Sequence, residues 1–168
     1  FPYTTLFRSM QDESLLSFGL GAYDVFGDDD NSADLRLEYR PGMHIMTENL
    51  KPWVGAEMTT HAAFWAGGGL LYEFDLTPEL QLIPSFGVGY YSEGNSDLQM
   101  KDGIQFRPQI ELNYSFSSGY GVSAFLSHAS DFGIQDKEDG INDDSDDQSQ
   151  TLGVYWHVPF NRIFQTGN

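Results

Sequence analysis

The chain contains no cysteine. That excludes a disulfide framework, a thiolate metal site and a cysteine nucleophile, but it does not set the compartment, because many exported proteins also lack cysteine. Basic residues are scarce: eight Lys and Arg stand against 25 Asp and Glu, a formal charge of −17. A surface of that sign repels phosphate backbones, so no nucleic-acid partner is expected. Long apolar runs are missing as well. The richest window, Ala62 to Tyr72, includes three glycines and falls short of the ~18 consecutive apolar residues that a spanning helix needs. Apolar stripes at helical spacing are also lacking, which removes an α-bundle. With 168 residues the chain fits one domain and is too short for two independent enzyme domains.

What is plentiful points to β-structure. Eighteen glycines, 13 Phe and 9 Tyr accompany an apolar share of 40%. The clearest period-two segment is Gln105 to Phe116, where Phe106, Pro108, Ile110, Leu112, Tyr114 and Phe116 oppose Gln105, Arg107, Gln109, Glu111, Asn113 and Ser115. At ~3.3 Å per residue such a strand is about 40 Å long, ample for a tilted membrane crossing. The alternation recurs in Ala33 to Arg40 and in Leu80 to Tyr90, where only Ile83 breaks it. Leu15 to Val25, Leu50 to Thr59, Ala63 to Phe74, Tyr120 to Ser130 and Thr151 to Phe160 complete a set of eight strands. Eight is the smallest even number that closes a membrane barrel, and closure removes the sheet edges that lipid cannot satisfy.

The expected fold is therefore all-β, an eight-stranded antiparallel up-and-down transmembrane barrel spanning residues 10–160. Its outer loops are expected at Phe26 to Ser32, Ser92 to Gly103 and Asp131 to Gln150, and its inner turns at Asp75 to Glu79 and Ser117 to Gly119. Arg40 to Asn49 is long for an inner turn, and the join near Thr60 is short for an outer loop. Phe1 to Ser9 fit neither the strand pattern nor a leader. They read as adapter read-through, a non-native segment excluded from the domain, and whether a leader has been lost is left open. Residues 161–168 read as a short tail. Alternation alone does not say which face looks inward, since a soluble lipocalin-like lipid-binding barrel alternates too. Arg36, Glu38, Arg107 and Glu111 on the polar face, the small Gly and Ser residues beside them, and aromatics near the strand ends favour apolar-out.

On the expected strand Tyr120 to Ser130, residues Tyr120, Val122, Ala124, Leu126, His128 and Ser130 share a face, so an imidazole and a hydroxyl stand two apart on the lipid side. Their Cβ atoms are then roughly 6 to 7 Å apart, within reach of a nucleophile and base pair if the rotamers turn together. H-x-S is also an ordinary pair where a barrel meets headgroups. Strand parity puts His128 and Ser130 at the outer-leaflet end, where a nucleophile meets lipid esters rather than soluble substrates. The acidic runs Asp28 to Asp30 and Asp143 to Asp147 lack the ligand spacing of a Ca²⁺ loop and read as solvated loops. His44 and His61 are isolated, His157 shares the lumen face with Tyr155 as a hydrogen-bonded interior residue, and Gly67-Gly68-Gly69 suggests a bend or close packing.

The segment His128-Ala129-Ser130-Asp131, with Asp139-Gly140-Ile141 and the terminal strand Thr151 to Phe160, resembles the lipid A 3-O-deacylase (PagL-type) outer-membrane barrels. Leu35 to Arg40, Leu82 to Phe86 and Phe106-Arg107 also look like that family, so the resemblance runs from Leu15 to Phe160. It implies a bacterial outer-membrane enzyme that removes the ester-linked acyl chain at the 3 position of lipid A, with no cofactor and no metal. Lipopolysaccharide and outer-membrane lipid are the implied partners, and homo-oligomerisation is left open. By that implication Ser130 is the nucleophile, His128 the general base, and Asp131 and Gly133 lie in the oxyanion region. The family usually carries Asn where Asp131 stands. Its orienting Glu matches Asn142 counting forward from Ser130, or Gln150 counting back from the last strand across an Asp143 to Ser149 insertion. Parity with Leu152, Val154 and Trp156 favours Gln150, and Asp143, Asp144, Asp146 or Asp147 are the loop acids that would serve instead. The alternative reading within the family is a barrel that keeps the scaffold without catalysis.

Overall fold

The computed structural model describes residues 13–23, 32–60, 62–92, 103–131 and 148–163. It contains eight staves: β1 (Leu15–Tyr23), β2 (Ser32–Arg40), β3 (Leu50–Thr59), β4 (Phe64–Tyr72), β5 (Leu80–Ser92), β6 (Gly103–Ser115), β7 (Gly121–Asp131) and β8 (Gln148–Pro159). Each pairs antiparallel with the next, and β8 returns to β1, so the sheet closes with Leu20 opposite Val154. One helical turn, α1 (Phe160–Ile163), follows β8 and takes up the end of the expected last strand.

The expected fourth strand ran unbroken to Phe74, whereas the structure divides it. After a gap at Glu73, Phe74–Asp75 resumes pairing with β5. The register is the same on both sides, Leu71 opposite Ser85 and Phe74 opposite Leu82, so Tyr72 falls opposite Pro84. Proline has no N–H to donate, and one ladder bond is lost there. On its other side β5 pairs with β6 without interruption, Pro84 opposite Ile110.

Burial alternates residue by residue and fixes the orientation. In β6 the odd residues from Gln105 to Asn113 are buried, while Ile110, Leu112 and Tyr114 are exposed. Phe18, Leu20, Leu35, Leu37, Val54, Val88, Leu126, Leu152 and Trp156 are exposed in the same way on the outer perimeter. A soluble ligand-carrying barrel requires the reverse arrangement, and the apolar perimeter overturns that alternative. Aromatic pairs gather at the end that bears the inner turns: Tyr72 with Phe74, Tyr114 with Phe116, and Tyr120 with Trp156. That is the girdle expected at a membrane interface.

The lumen is filled by charge pairs. Arg36 contacts Asp34 at 2.7 Å, Gln109 at 3.0 Å and Ser127 at 2.9 Å. Arg40 bridges Glu38 at 3.0 Å and Glu111 at 2.7 Å. Arg107 pairs with Glu57 and with Glu38, and Tyr155 donates its hydroxyl proton to Glu38. Ile83, the residue that broke the alternation, is on this inner face. It is 2% exposed and packs with Trp53, Trp65 and Leu71, an apolar patch over which the Arg107 guanidinium stacks 4.0 Å from the Trp65 ring.

Glu111 joins much of this interior, since it accepts from Arg40 and Ser123 and pairs with His157 at 3.0 Å. Removing one partner of a buried pair leaves the other charge uncompensated. We therefore expect Glu111→Leu to lower the unfolding free energy by about 3–5 kcal/mol in urea titrations from lipid vesicles. A loss below about 1 kcal/mol, the worth of an exposed pair, would show that the network contributes little. The triple glycine also has its reason in packing: a Cβ on Gly69 would lie 1.8 Å from the Phe86 carbonyl oxygen, and one on Gly67 2.3 Å from that of Val88.

Candidate functional site on the outer wall

β7 ends on the sequence Ser127-His128-Ala129-Ser130-Asp131, and its alternation decides what faces lipid. Phe125 and Ser127 are buried inside, while Val122, Ala124 and Leu126 are exposed outside. His128 and Ser130 follow the outer set and are half-buried. Ala129, between them, lines a lumenal cleft together with Glu57, Trp65, Gln105 and Arg107. The imidazole and hydroxyl therefore stand on the lipid side of the wall, as their spacing implied.

Register supplies the neighbours. Gln150 on β8 is directly opposite His128, and Phe106 on β6 is directly opposite Ser130. Direct cross-strand partners share a face with Cβ atoms about 4.5–5.5 Å apart, so Gln150 is next to the imidazole. The Phe106 ring lies 5.6 Å from that of Phe86, and with exposed Val88, Ile104, Leu126 and Leu152 it makes the surroundings apolar. Among the described residues no hydrogen bond joins His128 to Ser130 or Gln150. Along β7 the two side chains are separated by one strand repeat, roughly 6 to 7 Å, which a rotamer change closes.

Asp131 is the last residue of β7, in register with Gln105, and its side chain lies outside the described residues. Gly133, Asn142, Asp143, Asp144, Asp146, Asp147 and His61 also lie outside them. His44 is in the segment between β2 and β3, far in sequence from the pair.

A second serine and histidine were not singled out together by sequence. Ser17 Oγ lies 2.6 Å from His157 Nδ1 and Ser123 Oγ 2.8 Å from its Nε2, with Glu111 3.0 Å from the same Nε2. This Ser17–His157–Glu111 series has the residue order of a hydrolytic triad with the two ring nitrogens exchanged, and all three side chains are buried in the lumen, with Ser17 at 0% exposure. An acyl ester has no access to it, and its chemistry is that of a satisfied polar core.

A sequence model of the family described as lipid A 3-O-deacylase (PagL) matches residues 77–144, a span that includes His128 and Ser130. The solved structure of the outer membrane enzyme PagL is 16% identical over 86% of this chain and 99% of its own, with a TM-score of 0.58. The family match covers less than half of the chain, so residues 77–144 are similar to that family. Other barrels share the fold: the N-terminal domain of Pseudomonas aeruginosa OprF is 12% identical over 88% of this chain and 98% of its own, with a TM-score of 0.61. Neisserial surface protein A is 13% identical over 88% and 96%, with a TM-score of 0.54. At such identities the likeness to solved structures speaks for the fold alone. No curated protein matches the chain. With its closed eight-stranded sheet and apolar perimeter it is a barrel of the bacterial outer-membrane kind, and its outer wall is the surface that meets lipid.

Proposed function

We propose that this chain is an outer-membrane esterase that removes the ester-linked acyl chain at the 3 position of lipid A. The observation that carries the reading is the placement of His128 and Ser130 on one lipid-facing strand face, with Gln150 opposite the imidazole. In this reading Ser130 Oγ bonds to the acyl carbonyl carbon while His128 takes its proton. The ester C–O bond then breaks, and the same proton goes to the departing sugar oxygen. Water attacks the acyl-serine, releases a 3-hydroxy fatty acid and restores the hydroxyl. The end of β7, at Asp131 and on to Gly133, forms the oxyanion region, and Gln150 holds the imidazole by accepting its N–H.

Refolding the protein into vesicles that contain lipid A, followed by mass spectrometry, tests this reading. Lipid A lighter by one ester-linked hydroxyacyl chain, with the free fatty acid recovered, is the expected result, and unchanged lipid A rejects it. The second reading, a barrel that keeps the scaffold without turnover, draws on Gln150, an amide where the family has a carboxylate. Unchanged lipid A favours that reading.

A further inference from the structure

The ladder between β6 and β7 is interrupted beside the candidate pair. Bridges join Phe106 to Ser130 and Gln109 to Ser127, so in the same register Arg107 falls opposite Ala129 and Pro108 opposite His128, yet neither of those pairs is bridged. On its other edge β6 pairs with β5 without a break, Phe86 opposite Pro108. The missing N–H of Pro108 therefore belongs to the β7 side, and the carbonyl it leaves without a ladder donor is that of His128. Proline is avoided in strands flanked on both sides, and an unpaired carbonyl in a membrane wall is costly. Of the two such seams described, one is at Tyr72 in the aromatic girdle, opposite Pro84. The other is opposite the candidate base.

Two consequences follow for His128. On the outer face it is flanked by Gln150 on one side and by a pyrrolidine ring on the other, each a direct cross-strand neighbour about 4.5–5.5 Å away at Cβ. The ring is rigid and offers the imidazole no polar partner, so the direction left open is along β7 towards Ser130. The unbridged seam also gives the His128 peptide a freedom that a complete ladder removes. We propose that Pro108 is a positioning residue that turns His128 towards Ser130. This rests on the esterase reading above.

The test is to restore the N–H with Pro108→Ala, and with Pro108→Val should the first not fold, using Pro84→Ala as the control at the distant seam. Three quantities are read in vesicles: the denaturation midpoint, the rate at which a fluorophosphonate probe labels Ser130, and kcat and KM on lipid A. Both repairs are expected to raise the midpoint. Only the Pro108 variant is expected to slow labelling and lower kcat, by about tenfold to 10²-fold with KM unchanged, since a misplacement of about 1 Å costs that much. A merely structural proline would not make the barrel firmer and the serine less reactive at once. Equal labelling of wild type and Pro108→Ala overturns the proposal, and so does equal slowing by Pro84→Ala. Wild-type protein that is not labelled overturns both the proposal and the esterase reading. Labelling without release from lipid A overturns only the substrate, and the comparison at Pro108 is then decided on labelling.

Discussion

Ser130→Ala is expected to abolish release of the 3-hydroxy fatty acid while leaving the barrel closed. The side chain is at the outer end of β7 on the lipid face, and among the described residues it anchors no hydrogen bond, so the fold has little to lose. Removing one hydroxyl from the wall changes stability by no more than a typical surface substitution, about 0.5 kcal/mol. Chemistry behaves differently, because without the nucleophile the covalent route is closed. Loss of a serine nucleophile costs on the order of 10⁶ in rate, and the residue left over comes from binding and oxyanion stabilisation. His128→Ala is expected to cost a similar factor, and the double variant no more than either, because two groups that act as one unit are not additive. The assay is mass-spectrometric release, with the heat-modifiable gel mobility of the folded barrel as the control for folding. Wild-type release from a folded Ser130→Ala barrel rejects the nucleophile assignment.

The strand count and the sign of the barrel were legible because a membrane wall imposes period two on every stave. In Gln105 to Phe116 the two faces separate without an exception, and charges such as Arg36, Glu38, Arg107 and Glu111 have only the lumen to go to. Partner choice inside the lumen was not legible. Arg40 finds Glu111 71 residues away only because the sheet closes, and no local pattern encodes that closure. Ile83 looked like a defect in the alternation for the same reason, since the Trp53, Trp65 and Leu71 patch that receives it comes from β3 and β4. The two prolines were visible as outward residues, but their effect depends on which neighbour loses a donor, and that is a matter of register. The shared face of His128 and Ser130 followed from parity. That Gln150 falls opposite His128 required the β7–β8 register, which the long connection between those strands hides from a count along the chain.

Gln150→Glu is expected to raise the deacylation rate, by up to about 10⁴, the factor lost when the carboxylate of a serine protease triad becomes an amide. Gln150 is directly opposite His128, so a carboxylate there is aimed at the imidazole N–H from the same cross-strand position. An amide oxygen accepts that hydrogen bond and fixes the tautomer, but it brings no negative charge to balance the imidazolium that forms as Ser130 attacks. In apolar surroundings the missing charge matters more than it would in water. The added carboxylate costs the barrel little, because acidic residues near the interface end of the lipid face destabilise by about 0–1 kcal/mol at most. The gain requires an ionised carboxyl, so it is present above the pKa of the introduced group and disappears as pH falls through it. The measurement is kcat on lipid A for both proteins across a pH series. A rate that does not rise means either that the pair does not act or that an acid already serves it. Alanine variants of Asp143, Asp144, Asp146 and Asp147 separate these cases. If one of those carboxylates orients His128, its removal lowers the rate in the Gln150 protein, and Gln150→Glu restores it. If none of the four matters and Gln150→Glu gives no gain, the imidazole is not working as a base, and the esterase reading fails with it.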